Sequence, residues 1–106
     1  MTDTPLRGFQ RKHLRGLAHG LNPAVQVGHA GVTDAVVTAL DSALADHELI
    51  KVAMHRPADK KALAAELAAR SGAHLCGTIG HIAILYRPRP GEPTIQLPQR
   101  EGDAAG

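Results

Sequence analysis

Aromatic side chains are nearly missing from this chain of 106 residues, which has one Phe, one Tyr and no Trp. Proteins that hold single strands without sequence preference stack bases on aromatic rings, so a stacking sheet of the RRM or cold-shock type is disfavoured. Cysteine is equally scarce. Cys76 stands alone, which excludes an internal disulfide, provides no paired thiols for zinc, and fits a reducing cytoplasm. No apolar run is long enough to cross a bilayer, and Met1 to Pro5 has no apolar signal core, so the expected location is cytoplasmic, away from membranes. Neither G-x-x-x-x-G-K-[ST] nor G-x-G-x-x-G occurs, which removes the usual cradles for nucleotide hydrolysis and dinucleotide chemistry. Acids are also unevenly distributed. From Thr4 to Thr33 there is no Asp or Glu at all.

What remains is an ordinary globular composition, 43% hydrophobic and 21% charged, with a net charge of +2 and a pI of about 9.0. Chain length fits one domain with one real core. The spacing of Leu6, Phe9, Leu14, Leu17 and Leu21 predicts a helix from Leu6 to about Leu21 with these on one side. Arg7, Arg11 and Arg15 recur every four residues on another side, joined by Lys12. Asn22-Pro23 ends it. Val25–Val27 reads as a short strand. Thr33 suits the cap of a second helix whose buried face is Val36, Val37, Leu40, Ala43 and Leu44, ending near His47.

Leu49–Ala53 reads as a second strand, broken by Arg56-Pro57-Ala58. Asp59 then caps a third helix through Leu63, Ala64, Leu67 and Ala68, with Ser71-Gly72 as its stop. Leu75–Ile79 and Ile82–Tyr86 form an antiparallel pair around Gly80-His81, where a glycine in the first turn position suits a type II′ hairpin. From Pro88 the chain is too rich in Pro and Gly to pack, apart from a short contact by Ile95 and Leu97. The expected organisation is a loose start at residues 1–5, one domain at 6–87 and a mostly loose tail at 88–106. The order α-β-α-β-α-β-β implies an α/β fold of two to three layers on a four-stranded mixed sheet, with strands two and four central.

Gly28-His29-Ala30-Gly31 is the feature that carries chemistry. A glycine loop feeding a helix start presents backbone N–H groups and the positive end of the helix dipole, which suit a phosphate oxygen. By itself a Gly-x-x-Gly loop is also a turn that merely needs small residues. The stripe Arg7, Arg11, Lys12 and Arg15 is either a solvated face or a phosphate contact, and no carboxylate in its helix neutralises it. Lys51, Arg87 and Arg89 are divided between solvent and ligand in the same way, whereas Lys60 and Lys61 read as exposed. Asp34, Asp41, Asp46 and Glu48 read as helix-dipole complement and solubilising charge. None of the seven histidines is paired at i,i+4 with another, so no metal and no cofactor are expected.

Four stretches carry a family resemblance: Gln10 to His19, Gly28 to Thr33, His47 to Val52, and Ile79-Gly80-His81 leading to Leu85-Tyr86-Arg87-Pro88. Together they resemble the CRM domain family, for chloroplast RNA splicing and ribosome maturation, whose stand-alone bacterial members are called YhbY. The resemblance covers roughly Leu6 to Pro98. It implies a fold similar to the C-terminal domain of translation initiation factor three, and a protein bound to ribosomal RNA of precursor large subunits. It makes the loop at Gly28, His29, Ala30 and Gly31 an RNA contact. His29 and His81 stand where relatives often carry lysine, replacing fixed charge with charge that imidazole gains on acidification. The expected RNA surface is therefore Gly28, His29, Ala30, Gly31, Arg7, Arg11, Lys12, Arg15, Lys51, His81 and Arg87, without catalytic residues. Its rivals are a protein-interaction module that meets ribosomal proteins or assembly factors, and an enzyme holding a small phosphorylated substrate at the loop.

Overall fold

The computed structural model describes residues 6–91 and 93–98. The expectations of a loose start at residues 1–5 and a loose end from Gln99 lie outside these. Seven elements follow the expected order: α1 (Gly8–Ala18), β1 (Pro23–Val27), α2 (Asp34–His47), β2 (Leu49–Met54), α3 (Lys60–Ser71), β3 (His74–Ile79) and β4 (Ile82–Tyr86). Local chemistry sets most boundaries. Thr33 Oγ1 accepts from Val36 N at 3.2 Å and Asp59 Oδ1 from Ala62 N at 3.1 Å, so both helices start at a side-chain cap. Gly72 closes α3 in the left-handed region at φ +69°. Gly80 has φ +58°, and His81 is not among the positive-φ residues, the sign pattern of a type II′ turn.

The sheet order is β1-β2-β4-β3, with β1 parallel to β2 and β4 antiparallel to both β2 and β3. β2 and β4 are thus central, and their alternate residues feed two cores. Ile50, Val52, Ala83 and Leu85 meet Leu40 and Leu44 of α2 and Ala64 and Leu67 of α3. Leu49, Ile84 and Tyr86 point the other way, onto Leu14 and Ala18 of α1, Cys76 and Leu6. The result is three layers. Burial pushes the Cys76 thiol up to about 12, against the opposing charges of Arg15 and Arg11, so it packs as a small inert side chain.

α1 is shorter than the expected Leu6 to Leu21 and buries a narrower stripe. Leu17 and Leu21 are 46% and 40% exposed. The reason is the way α1 is held: Leu14 and Ala18, four residues apart, face the sheet, and Arg15 Nη1 donates to Cys76 O at 2.8 Å. A side chain at Gly77 would put its Cβ 2.8 Å from Arg15 Cδ, so the bare glycine lets this arginine lie on β3. Arg11 likewise turns back, Nη1 donating to Leu6 O at 2.5 Å.

Glu48 corrects the reading of the acids near α2 as surface charge, because it is fully buried. It leaves α2 at φ +62°, a conformation costing a non-glycine residue about 1–3 kcal/mol. A glycine there could not supply its carboxylate, which accepts from Arg89 N and Thr94 N at 2.9 Å and from Ile95 N at 2.8 Å. Ile95 and Leu97 then pack on the α1 side, and Gln10 Nε2 donates to Pro98 O at 3.4 Å. Burial opposes the charge on Glu48, but these three donors and the Arg89 charge outweigh it and hold the carboxyl below its ordinary value.

A carboxyl with a lowered pKa stabilises the fold above its unfolded value of about 4.3, and that contribution disappears as pH falls through the folded value. Glu48→Gln should cost about 1–3 kcal/mol in urea unfolding at neutral pH and speed exchange of the Arg89, Thr94 and Ile95 amides. In strong acid the difference from the parent should vanish; a gap of the same size there would refute the assignment. Arg15→Ala should lower stability by about 1 kcal/mol through its lost bond to Cys76 O, whereas Lys12→Ala on the exposed side of α1 should stay within about 0.5 kcal/mol, by thermal denaturation.

Candidate nucleic-acid interface

Three chain segments meet at one end of the sheet. β1 and β2 run parallel, so Val27 and Met54 lie side by side, and His55 N extends the pairing to Val27 O at 2.9 Å. Met54 N donates to His81 O at 2.8 Å, which brings the β3–β4 turn to the same place. Residues 28–33, 55–59 and 80–81 therefore form one rim. Both α2 and α3 begin on it, at the carboxyl ends of parallel strands, where open α/β sheets bind ligands.

Within the loop, Gly31 N donates to Gly28 O at 3.1 Å and Thr33 N to Gly31 O at 3.0 Å. Gly31 holds φ +75°, and a Cβ at Gly28 would meet nothing within 4 Å. Gly28, His29 and Ala30 are exposed. His29 stands against His55 edge to face, ring centroids 4.9 Å apart and planes at 88°. Arg56, exposed beside it, takes φ +45°. An open cleft of about 430 Å³ lies between the loop and the first turns of α3, lined by Gly28, His29, Gly31, His55, Arg56 and Asp59 among others.

The structure divides the residues expected to form one RNA surface. Gly28, His29, Ala30, Gly31 and His81 share the rim. Arg7, Arg11, Lys12 and Arg15 sit on α1, which covers the opposite face of the sheet from α2. Arg15 reaches Cys76 on β3, the edge strand three places from β1, across about 14 Å of sheet. Arg7 lies over the Phe9 ring, 5.8 Å from its centroid, and Lys12 is exposed. Lys51 Nζ donates to His19 O at 3.3 Å, so it belongs with the end of α1.

Arg87 lies at the other end of the sheet from the loop, beside Glu48, whose carbonyl accepts from its backbone N–H at 2.8 Å. Its guanidinium binds Asp41 Oδ1 and Ser71 O, both at 2.8 Å, and so ties β4 to α2 and α3. Arg89 Nη2 donates to Asp46 O at 3.1 Å. The sequence reading missed His55 and Arg56, taking Arg56-Pro57-Ala58 only as a strand break. The available signal was the β-α-β order, because parallel neighbours place the residues that follow each strand next to one another. Among the described residues no cluster of three or more His, Cys, Asp or Glu could hold a metal ion, and no helix is long and apolar enough to cross a membrane.

Comparison with known proteins supports the fold and gives the family. An RNA-binding protein of Haemophilus influenzae is 42% identical over 100 residues, covering 92% of this chain and 99% of that one. YqeI of Bacillus subtilis, named a probable RNA-binding protein, is 38% identical over 95 residues, covering 88% and 99%. The solution structure of a Staphylococcus aureus protein, described as a candidate RNA binder, superimposes with a TM-score of 0.77 at 35% identity, over 88% of this chain and 99% of that one. The sequence profile of the CRS1 / YhbY (CRM) domain matches residues 6–87, and the chain belongs to that family.

Proposed function

We propose that this protein binds ribosomal RNA within precursors of the large ribosomal subunit and assists their assembly in the cytoplasm, without catalysis. The observation that carries the reading is the rim where the Gly28–Gly31 loop and two helix starts converge, in a chain whose relatives are named RNA-binding proteins. Gly28 has no side chain to hold an RNA strand away, so a phosphate can approach the loop backbone and the positive end of the α2 dipole, although the Gly31 and Thr33 N–H groups are already used within the loop. Asp34 in the first turn of α2 would oppose an anion, and Arg70, 3.7 Å away, partly offsets it. Arg56 and His81 add positive or titratable groups at the rim. Lys12 and the rest of the α1 face attract the polyanion at longer range. The ribosomal assignment comes from the family resemblance, and recognition of RNA shape before sequence follows from contacts made chiefly to the backbone.

A second reading, a module that docks on a ribosomal protein or an assembly factor, is favoured by one observation. Leu17 and Leu21 are exposed beside an open apolar groove of about 470 Å³ that reaches Ala24 and Ile95.

Titrating large-subunit RNA freed of protein against salt separates the two. Engagement of about 4–8 phosphates gives a log-log slope of about −3 to −7, whereas a flat response would favour the protein partner. Gly28→Asp should weaken RNA binding at least about tenfold with an unchanged melting temperature, because it adds a negative charge in open space. It tests the loop more cleanly than a change at Gly31, whose φ of +75° strains any replacement. An unaltered affinity in folded Gly28→Asp protein would remove the loop from the interface.

A further inference from the structure

We infer that the cleft between the Gly28–Gly31 loop and the start of α3 receives an unpaired nucleobase of the bound RNA, stacked on the His29–His55 pair. The inference deepens the RNA-binding reading and rests on it. A strand whose phosphate sits at the loop has bases within a few ångströms, and unpaired bases are held chiefly by stacking on flat side chains, histidine included. The two ordinary aromatic rings are not available at this rim. Phe9 lies on α1 beneath the Arg7 guanidinium, and Tyr86 is 2% exposed. Imidazoles are the aromatic rings present, and both His29 and His55 are exposed.

Their geometry suits a third ring. An edge-to-face pair covers one face of one ring, so three of the four imidazole faces are left uncovered by the partner. Beside them the cleft has the size of a small-molecule site, and Pro57, Ala62 and Leu63 contribute apolar surface to its lining. Asp59 and Glu66 also line it. Asp59 uses Oδ1 to cap α3, and Glu66 has Arg70 at 3.8 Å. Carboxylates here would repel a phosphate, so the part of the cleft near them suits a neutral ring, while Arg56 and the loop backbone suit the phosphate chain. Carboxylate oxygens accept hydrogen bonds, which favours the two-hydrogen exocyclic amino groups of adenine, guanine and cytosine over uracil, whose one donor is its ring N3–H.

The test uses three short probes of equal length, oligoadenylate, oligouridylate and an abasic ribose-phosphate chain, titrated by fluorescence anisotropy. The parent protein should bind oligoadenylate more tightly than oligouridylate and the abasic chain least. Joint replacement His29→Ala with His55→Ala should weaken oligoadenylate binding about 5- to 10-fold and leave the abasic chain unaffected, and His55→Phe alone should retain affinity. Both side chains are exposed, and the His55 backbone bond to Val27 survives either change. Equal losses on oligoadenylate and the abasic chain would mean imidazole charge acts without stacking, which overturns the inference. Equal affinity for oligoadenylate and oligouridylate overturns the role given to Asp59 and Glu66. Gly28→Asp, by contrast, should weaken all three probes. If the parent binds none of them the RNA reading itself fails, whereas parent binding that Gly28→Asp abolishes and the histidine changes leave intact removes the base cleft alone.

Discussion

The antiparallel insertion of β4 between β2 and β3 governs the rest of this molecule. Lys51 pairs with Ile84 and Val52 with Ala83, so adjacent residues of the central strands face opposite layers. Two sets of buried side chains result, each needing its own cover: α2 and α3 on one face, α1 with Ile95 and Leu97 on the other. Full burial of each large aliphatic side chain contributes about 1.5–3 kcal/mol, so neither layer can be left off. With β4 taking one flank of β2, β1 pairs on the other and in parallel. That pairing sets Val27 beside Met54 and starts both following helices at the same end. The rim follows from sheet topology.

Polar groups are handled differently at the two ends of the sheet. At the Leu49 end, Arg87 is held by Asp41 and Ser71, Arg89 donates to Asp46, and Glu48 collects three backbone N–H groups from residues 89–95. These groups are satisfied by one another and by backbone, and fasten the chain that follows β4. At the loop end, His29, His55, Arg56 and His81 are all exposed. The exposed loop is therefore carried on a frame whose closing contacts are made elsewhere. Changes at the rim should cost little in folding, a division typical of loops displayed on rigid scaffolds.

Most of the fold was legible in the sequence, since its boundaries rest on short-range chemistry. Thr33, Asp59 and Gly72 each act within four residues, and the apolar runs of β2 and β4 announce burial on both faces. What stayed hidden depends on distant partners. Glu48 looks like any surface acid until the amides of Thr94 and Ile95 arrive, more than forty residues along the chain. Arg15 belongs to a basic stripe by spacing alone and becomes a tether only because Gly77 leaves it room. The exposure of Leu17 and Leu21 reflects which turn of α1 meets the sheet, and periodicity gives the stripe without its rotation. At the site, the loop and His81 could be named from local motifs. His55 and Arg56 needed the parallel register.

The separation of the basic α1 face from the loop constrains how the two can serve one ligand. Between them lies the part of the sheet that α1 leaves uncovered, with an open groove of about 520 Å³ lined by Gln26, Gly28, Ala53 and His55. Lys51 projects to the same face and meets the last turn of α1 through His19. A polyanion that touches both the loop and Lys12 must reach across this uncovered stretch, past Lys51, to the layer on which α1 packs. A free mononucleotide could satisfy the loop alone and would gain nothing from α1. On the proposed function, the divided charge thus selects for a folded RNA of the right contour, because only a ligand with phosphates on two sides of the sheet edge engages both sets of cations at once.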